Sequence, residues 1–189
     1  MINIFIIFFA IILLGGLLYF ERKGTKRSHL ITKSILSLLF VVTAFLQPTL
    51  VPKYYHYLLA GLILCLIGDV CLALPGDKVF RMGLVAFLLG HVFYIFSFLS
   101  VITLSRWISP IALVIFAFSA GVFFWLRPYL QKMLVPVLVY ILVITLMLCG
   151  AWVVFQKSSF PILATALIFA GAFCFYVSDI FVARDRFIK

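Results

Sequence analysis

Acidic side chains are scarce in this sequence, five among 189 residues, and two of them, Asp69 and Asp179, stand inside apolar runs. An ionisable group at such depth costs on the order of 2.5–3.5 kcal/mol on insertion scales, so it usually faces a partner or a watery cavity. Two carboxylates close together in a low dielectric resist ionising at once; one keeps its proton as a general acid and the other is available as a base. That is a catalytic arrangement, with the capping or pinning of helices, through Lys33 for example, as the structural alternative. Lys33 lies near the start of an apolar run and His91 inside another. A single hydrogen bond between helices would satisfy His91, and a place in the site is its other reading. Tyr94 follows His91 by one helical turn and Tyr176 precedes Asp179 by one turn, so both tyrosines can line the same cavity.

Depth supports a shared site. Asp69 lies six residues before Pro75 and Asp179 five before Arg184. At the rise of an α-helix each is then roughly 7–9 Å below the same boundary. His91 is ten residues beyond Arg81, about 15 Å in and so near the midplane. Asp77 and Asp185 stand in basic connections and read as solvated ion-pair partners.

The elements that must carry these groups are membrane helices. Hydrophobic residues make up 67% of the chain and charged ones 11%, too little polar surface to cover a water-soluble core. Most of the length lies in apolar runs long enough to cross a ~30 Å hydrocarbon layer. Spans are predicted near 2–20, 31–47, 55–74, 82–103, 107–126, 133–153 and 160–183, an all-α polytopic membrane protein of about seven helices forming one bundle over 1–189. The first run is followed by Glu21-Arg22-Lys23 without a small-residue cleavage pattern and reads as a retained helix. Pro48, Pro52, Pro75 with Gly76, Pro128 and the segment 156–159 punctuate short loops; Pro110, Pro136 and Pro161 fit helix starts.

The net charge of +10 does not form a nucleic-acid-binding stripe; it sorts by loop. Arg22, Lys23, Lys26, Arg27, Lys33, Lys78, Arg81, Arg127, Lys132, Arg184, Arg186 and Lys189 fall on one side, and Lys53, Arg106 and Lys157 on the other. Twelve against three places the N-terminus outside and the C-terminus of the chain in the cytoplasm, as in a bacterial inner membrane. Tyr54, Tyr55, Trp107 and Trp152 then reach the outer interface, and Trp125 and Tyr129 the inner one, as an aromatic belt requires. Cys65, Cys71, Cys149 and Cys174 lie in apolar runs without Cys-x-x-Cys spacing and read as small buried residues. Gly-x-Ser-x-Gly, phosphate-loop and His-Glu-x-x-His signatures are absent. One intramembrane histidine leaves a conventional zinc site short of ligands, and no metal or cofactor is expected.

The third and seventh spans repeat one another. Residues 57–74 and 167–184 align Ala60-Gly61, Asp69 and Ala73 with Ala170-Gly171, Asp179 and Ala183 at a constant offset of 110. Both run from outside to inside, which suggests two parallel four-helix halves. Such a four-plus-four scheme predicts an eighth helix after Arg186.

At these residues the sequence resembles the YhhN-like membrane lysoplasmalogenases. The resemblance lies in Gly68-Asp69, in Gly83-Leu84-x-x-Phe87-x-x-Gly90-His91-x-x-Tyr94, and in Gly171-Ala172-x-x-Phe175-x-x-Ser178-Asp179-x-x-x-Ala183. Lys33 matches the lysine of a Lys-Pro pair, with Ser34 in place of the proline. Coverage runs from about residue 30 onward, and the eighth helix usual in the family is the main departure. The resemblance implies an integral-membrane hydrolase that splits the vinyl ether of lysoplasmalogens into a fatty aldehyde and a glycerophosphoethanolamine or glycerophosphocholine. It implies Asp69 and Asp179 as catalytic groups, and Lys33, His91, Tyr94, Tyr176 and Ser178 as substrate-binding ones. Its partners are then a lysophospholipid substrate and membrane lipids. Vinyl ether hydrolysis needs one acid, one base and one water, which the residues themselves supply. A transporter or lipid-translocating protein using paired carboxylates and a structural membrane subunit are the competing classes.

Overall fold

The computed structural model describes residues 12–16, 19 and 26–188. Residues 12–16 are helical; the rest of the span expected over 2–20, apart from helical Tyr19, lies outside the described residues, as do Glu21, Arg22, Lys23 and Lys189. Six long helices follow: α1 (Lys26–Phe45), α2 (Pro52–Ala73), α3 (Asp77–Leu99), α4 (Pro110–Leu130), α5 (Leu134–Lys157) and α6 (Ile162–Phe187). Pro52–Ala73, Asp77–Leu99, the joined stretch Pro110–Lys157 and Ile162–Phe187 are long and apolar enough to cross a membrane, and Ile31–Phe45 is a shorter apolar helix. No strand occurs among the described residues. The chain is an all-α integral membrane protein, as lipid demands of a backbone that must satisfy its own polar groups.

The chain forms two compact units, residues 1–93 and 94–189. In the first, α1 packs on α2, and α2 turns back into α3 at Pro75-Gly76. Helix α2 opens on Pro52, where a missing N–H costs nothing. Gly76 has φ 120°, a conformation that L side chains rarely adopt, and its carbonyl accepts from Phe80 N at 3.0 Å to begin α3. Beyond the turn the two backbones stay close. A Cβ on Gly68 would lie 2.7 Å from the Phe87 ring, and one on Gly90 would lie 2.9 Å from Cys65 Sγ and 3.1 Å from the Gly61 carbonyl.

The second unit centres on α5, which packs against α4, α6 and a 3₁₀ turn at Leu104–Trp107. Gln131, at φ 43°, reverses the chain between α4 and α5. Contacts then step away from that turn in antiparallel register: Leu126 and Leu130 against Val137, and farther on Ser119 against Thr145. At the far end the ring of Trp107, 7% exposed, fills the space above Gly150, where a Cβ would meet it at 2.5 Å.

Helix boundaries differ from expectation by several residues; α5, for example, runs on to Lys157, through part of the segment 156–159 expected as a loop. Helix α3 begins at Asp77 and ends at Leu99, so the apolar residues 100–103 form a turn in place of a fourth-span end. Helix α4 starts at Pro110 and not at 107, because Ser109 caps it by accepting from Ala112 N at 3.2 Å and Pro110 occupies the first turn. Pro128 lies within the last turn of α4 and not in a loop. A 3₁₀ turn at Gln131–Met133 follows. Helix α2 begins at residue 52 and α6 at 162.

Candidate functional site

Asp69 occupies the last turns of α2 and is 20% exposed. Helix α1 runs alongside and supplies both of its partners. Lys33 Nζ lies 3.0 Å from Asp69 Oδ1, and the Ser37 hydroxyl donates to Oδ2. Lys33 and Ser37 are four residues apart, so one helical face presents an ammonium and a hydroxyl together. The pairing of Lys33 with an aspartate is therefore a feature of the fold. Ser37 was not singled out from sequence; its spacing from Lys33 is the signal that could have found it.

Asp179 lies within α6 and is partly buried. Its partner comes from α5: the Tyr140 hydroxyl donates to Asp179 Oδ2 at 2.5 Å. Tyr140 is 8% exposed and was likewise missed, because a tyrosine in an apolar helix carries no spacing signal toward a residue in the next helix. The helix continues past the charges Arg184 and Arg186 to Phe187.

Tyr176, one turn from Asp179, is 3% exposed and its hydroxyl bonds that of Ser119 at 2.7 Å. Thr145 donates to Ser119 Oγ at 2.7 Å and lies 2.6 Å from the Ile141 carbonyl. Three helices of the second unit are thus joined by one buried chain of hydroxyls. Ser178 takes another direction: it is exposed and lines an open cleft of about 450 Å³ with Cys174, Phe181 and Asp185. His91 on α3 is fully buried and Tyr94, one turn on, partly so. The structure thus joins Lys33 to Asp69, sets Asp179 against Tyr140, and ties Tyr176 into the hydroxyl chain. Among the described residues no three His, Cys, Asp or Glu side chains gather closely enough to hold a metal ion.

Chemically, the surroundings of the two aspartates are built alike. Each puts a part-buried carboxylate in one helix and its hydrogen-bond donors in the helix before it. Such groups can bind, give or take protons at the edge of an apolar interior.

No solved structure matches the chain. Two curated proteins do, each named Lysoplasmalogenase, from Mycobacterium bovis and Mycobacterium tuberculosis. Each is 33% identical over 165 residues, an overlap of 82% of this chain and 59% of the relative. The chain therefore spans less than two-thirds of the length of these relatives. Residues 28–189 match the YhhN family, and the chain belongs to it.

Proposed function

We propose that this protein is an integral-membrane hydrolase that cleaves the vinyl ether bond of lysoplasmalogens, releasing a fatty aldehyde and a glycerophosphoethanolamine or glycerophosphocholine. The observation that carries the reading is the pair of repeat-related, part-buried aspartates, each with its own donors. The name of the two relatives gives the substrate class. In this reading Asp69 and Asp179 are the catalytic groups.

Hydrolysis begins when a carboxyl group protonates the carbon–carbon double bond. Water then adds to the oxocarbenium ion, and the hemiacetal collapses to aldehyde and alcohol. The scissile bond of a lysolipid lies just below its head group, in keeping with carboxylates near one membrane boundary and with Lys33, 32% exposed, as a contact for the head-group phosphate. His91, Tyr94, Tyr176 and Ser178 complete the substrate-binding set, and the site works from the cytoplasmic side of a bacterial inner membrane with the N-terminus outside.

The test is aldehyde release by the purified protein given an alkenyl-lysolipid, with a saturated alkyl-ether lysolipid as control. Release from the first alone is the expected result; release from neither sinks the reading. The repeat also suits a transporter or lipid translocator, and lipid movement across vesicles without cleavage would favour that class.

A further inference from the structure

Within the second unit, the turn at Leu104–Trp107, the start of α4 and the middle of α5 line a groove of about 780 Å³. Its volume falls within the ~300–1,000 Å³ of sites that hold small molecules. Leu104, Ile108, Leu113 and Phe116 line it and are exposed, while Trp107 and Cys149, 7% and 3% exposed, form its buried wall. The Trp107 indole N–H is buried and has no acceptor among the described residues. A buried tryptophan usually finds one, and lipid hydrocarbon offers none. The groove opens toward the end of α5 at Lys157, which stands seventeen residues from Tyr140, about 25 Å at the helical rise.

Positive charge collects at the same place. Lys157 Nζ donates to the Arg106 carbonyl at 3.3 Å, which sets an exposed ammonium beside the residue that precedes Trp107. Arg106 and Lys157 are 51 residues apart in sequence, and they are two of the three cations that loop counting puts on the cation-poor side. The acidic residues of this unit, Asp179 and Asp185, lie toward the far end of α6, whereas Lys157 leads into its start. Ser109 and Pro110 begin α4 in the groove wall, and a helix start adds partial positive charge. We propose that the groove seats an anionic phospholipid of the surrounding bilayer. One acyl chain lies against Leu113, Phe116 and Leu146, and the head-group phosphate takes the Arg106 guanidinium and the Lys157 ammonium. An ester carbonyl between them accepts from the Trp107 indole, for which the ring must turn toward the groove. Apolar contact would hold the chain of any lipid; the charge at the mouth selects the anionic one. The lipid is a ligand and not a substrate, so the proposal stands apart from the hydrolase reading.

Tryptophan quenching tests the site. The full chain with Trp125→Phe and Trp152→Phe keeps Trp107 as its one tryptophan, and is placed in phosphatidylcholine vesicles holding a minor fraction of lipid brominated in its acyl chains. Brominated phosphatidylglycerol should quench Trp107 more strongly than the same fraction of brominated phosphatidylcholine. Arg106→Gln and Lys157→Gln should each cut the relative affinity drawn from this quenching by roughly fivefold. Lys53→Gln, which removes a cation of the first unit, should leave it in place, and Ala112→Phe, which narrows the groove, should reduce quenching by either lipid. Equal quenching by the two lipids, a preference that survives loss of both cations or vanishes with Lys53→Gln, or quenching untouched by Ala112→Phe overturns the proposal. Displacement of brominated phosphatidylglycerol by an equal amount of alkenyl-lysolipid would also overturn it, giving the groove to the substrate. Should the single-tryptophan protein misfold, native mass spectrometry of the unaltered chain decides. Phosphatidylglycerol must then stay bound in preference to phosphatidylcholine, and the protein carrying both Arg106→Gln and Lys157→Gln must lose that preference; any other result counts against the site.

Discussion

The two units hold their helices together by different chemistry. In the first, α2 and α3 meet at glycines, with the Phe87 ring laid on Gly68 and the Gly90 backbone against Gly61 and Cys65. In the second, α4, α5 and α6 meet through the hydroxyls of Ser119, Thr145 and Tyr176, which are 3%, 0% and 3% exposed. Lipid tails are as apolar as leucine, so helices in a bilayer associate by close packing and by hydrogen bonds. The α2–α3 contact uses the first device and the contacts of α4, α5 and α6 use the second. The repeat-related faces show the same divergence: Gly68 of α2 is buried under Phe87, whereas its counterpart Ser178 on α6 is exposed. The two aspartates are alike and their surroundings are not, so each unit can be disturbed by its own kind of substitution.

The largest expected effect strikes what the halves share. Asp69→Asn and Asp179→Asn should each lower turnover by ~10²–10⁴-fold, the size of a lost general acid or base. The double variant should be scarcely worse than either single, since residues acting as a unit are not additive. Aldehyde release by protein with unchanged melting measures this, and near-normal release from either single variant removes that aspartate from the site.

Next comes the cation beside Asp69. Hydrogen bonds to charged groups contribute ~1.5–3 kcal/mol, so Lys33→Ala should weaken substrate use by roughly 10- to 100-fold. Lys53→Ala, at the opposite end of α2, should change it little. Equal kinetics for the two variants would take Lys33 out of the site.

A smaller and purely structural contrast separates the glycines. Gly68→Ala sets a methyl against the Phe87 ring at 2.7 Å and should destabilise by ~1–3 kcal/mol, as overpacking does. Gly171→Ala, with nothing within 4 Å of its Cβ, should stay within about ±0.5 kcal/mol. Thermal unfolding in detergent compares them, and equal shifts would deny the close approach of α2 and α3.

Smallest of all should be Thr145→Val, which removes a donor from the hydroxyl chain and keeps the shape. Hydrogen bonds between membrane helices average ~0.6 kcal/mol with a maximum near ~1.7, so a loss in that range is expected from the same unfolding assay. No loss would mean that packing alone holds the second unit.

Much of this molecule was legible before any coordinates. Long apolar runs require helices, because only a helix satisfies its own backbone in lipid. The cost of burying charge singled out Asp69, Asp179 and Lys33 by residue type and depth. Helix ends were less legible: the cap at Ser109 with Pro110 moved the start of α4, α3 ended at Leu99 although residues 100–103 are apolar, and Pro128 lay inside α4.

Partnership was the part that sequence could not settle. A hydroxyl in an apolar helix is inexpensive and common, so Ser37, Ser119, Tyr140 and Thr145 carried no mark of their own. Their roles depend on the register between helices, which is decided by where each hairpin turns and which side chains interlock. That register sets Ser37 and Lys33 on Asp69, and Tyr140 on Asp179. The sequence by itself determined the helices, the membrane and the two aspartates, through costs that each residue bears alone. Only tertiary structure decided which donors those aspartates received, because a hydrogen bond belongs to two helices at once.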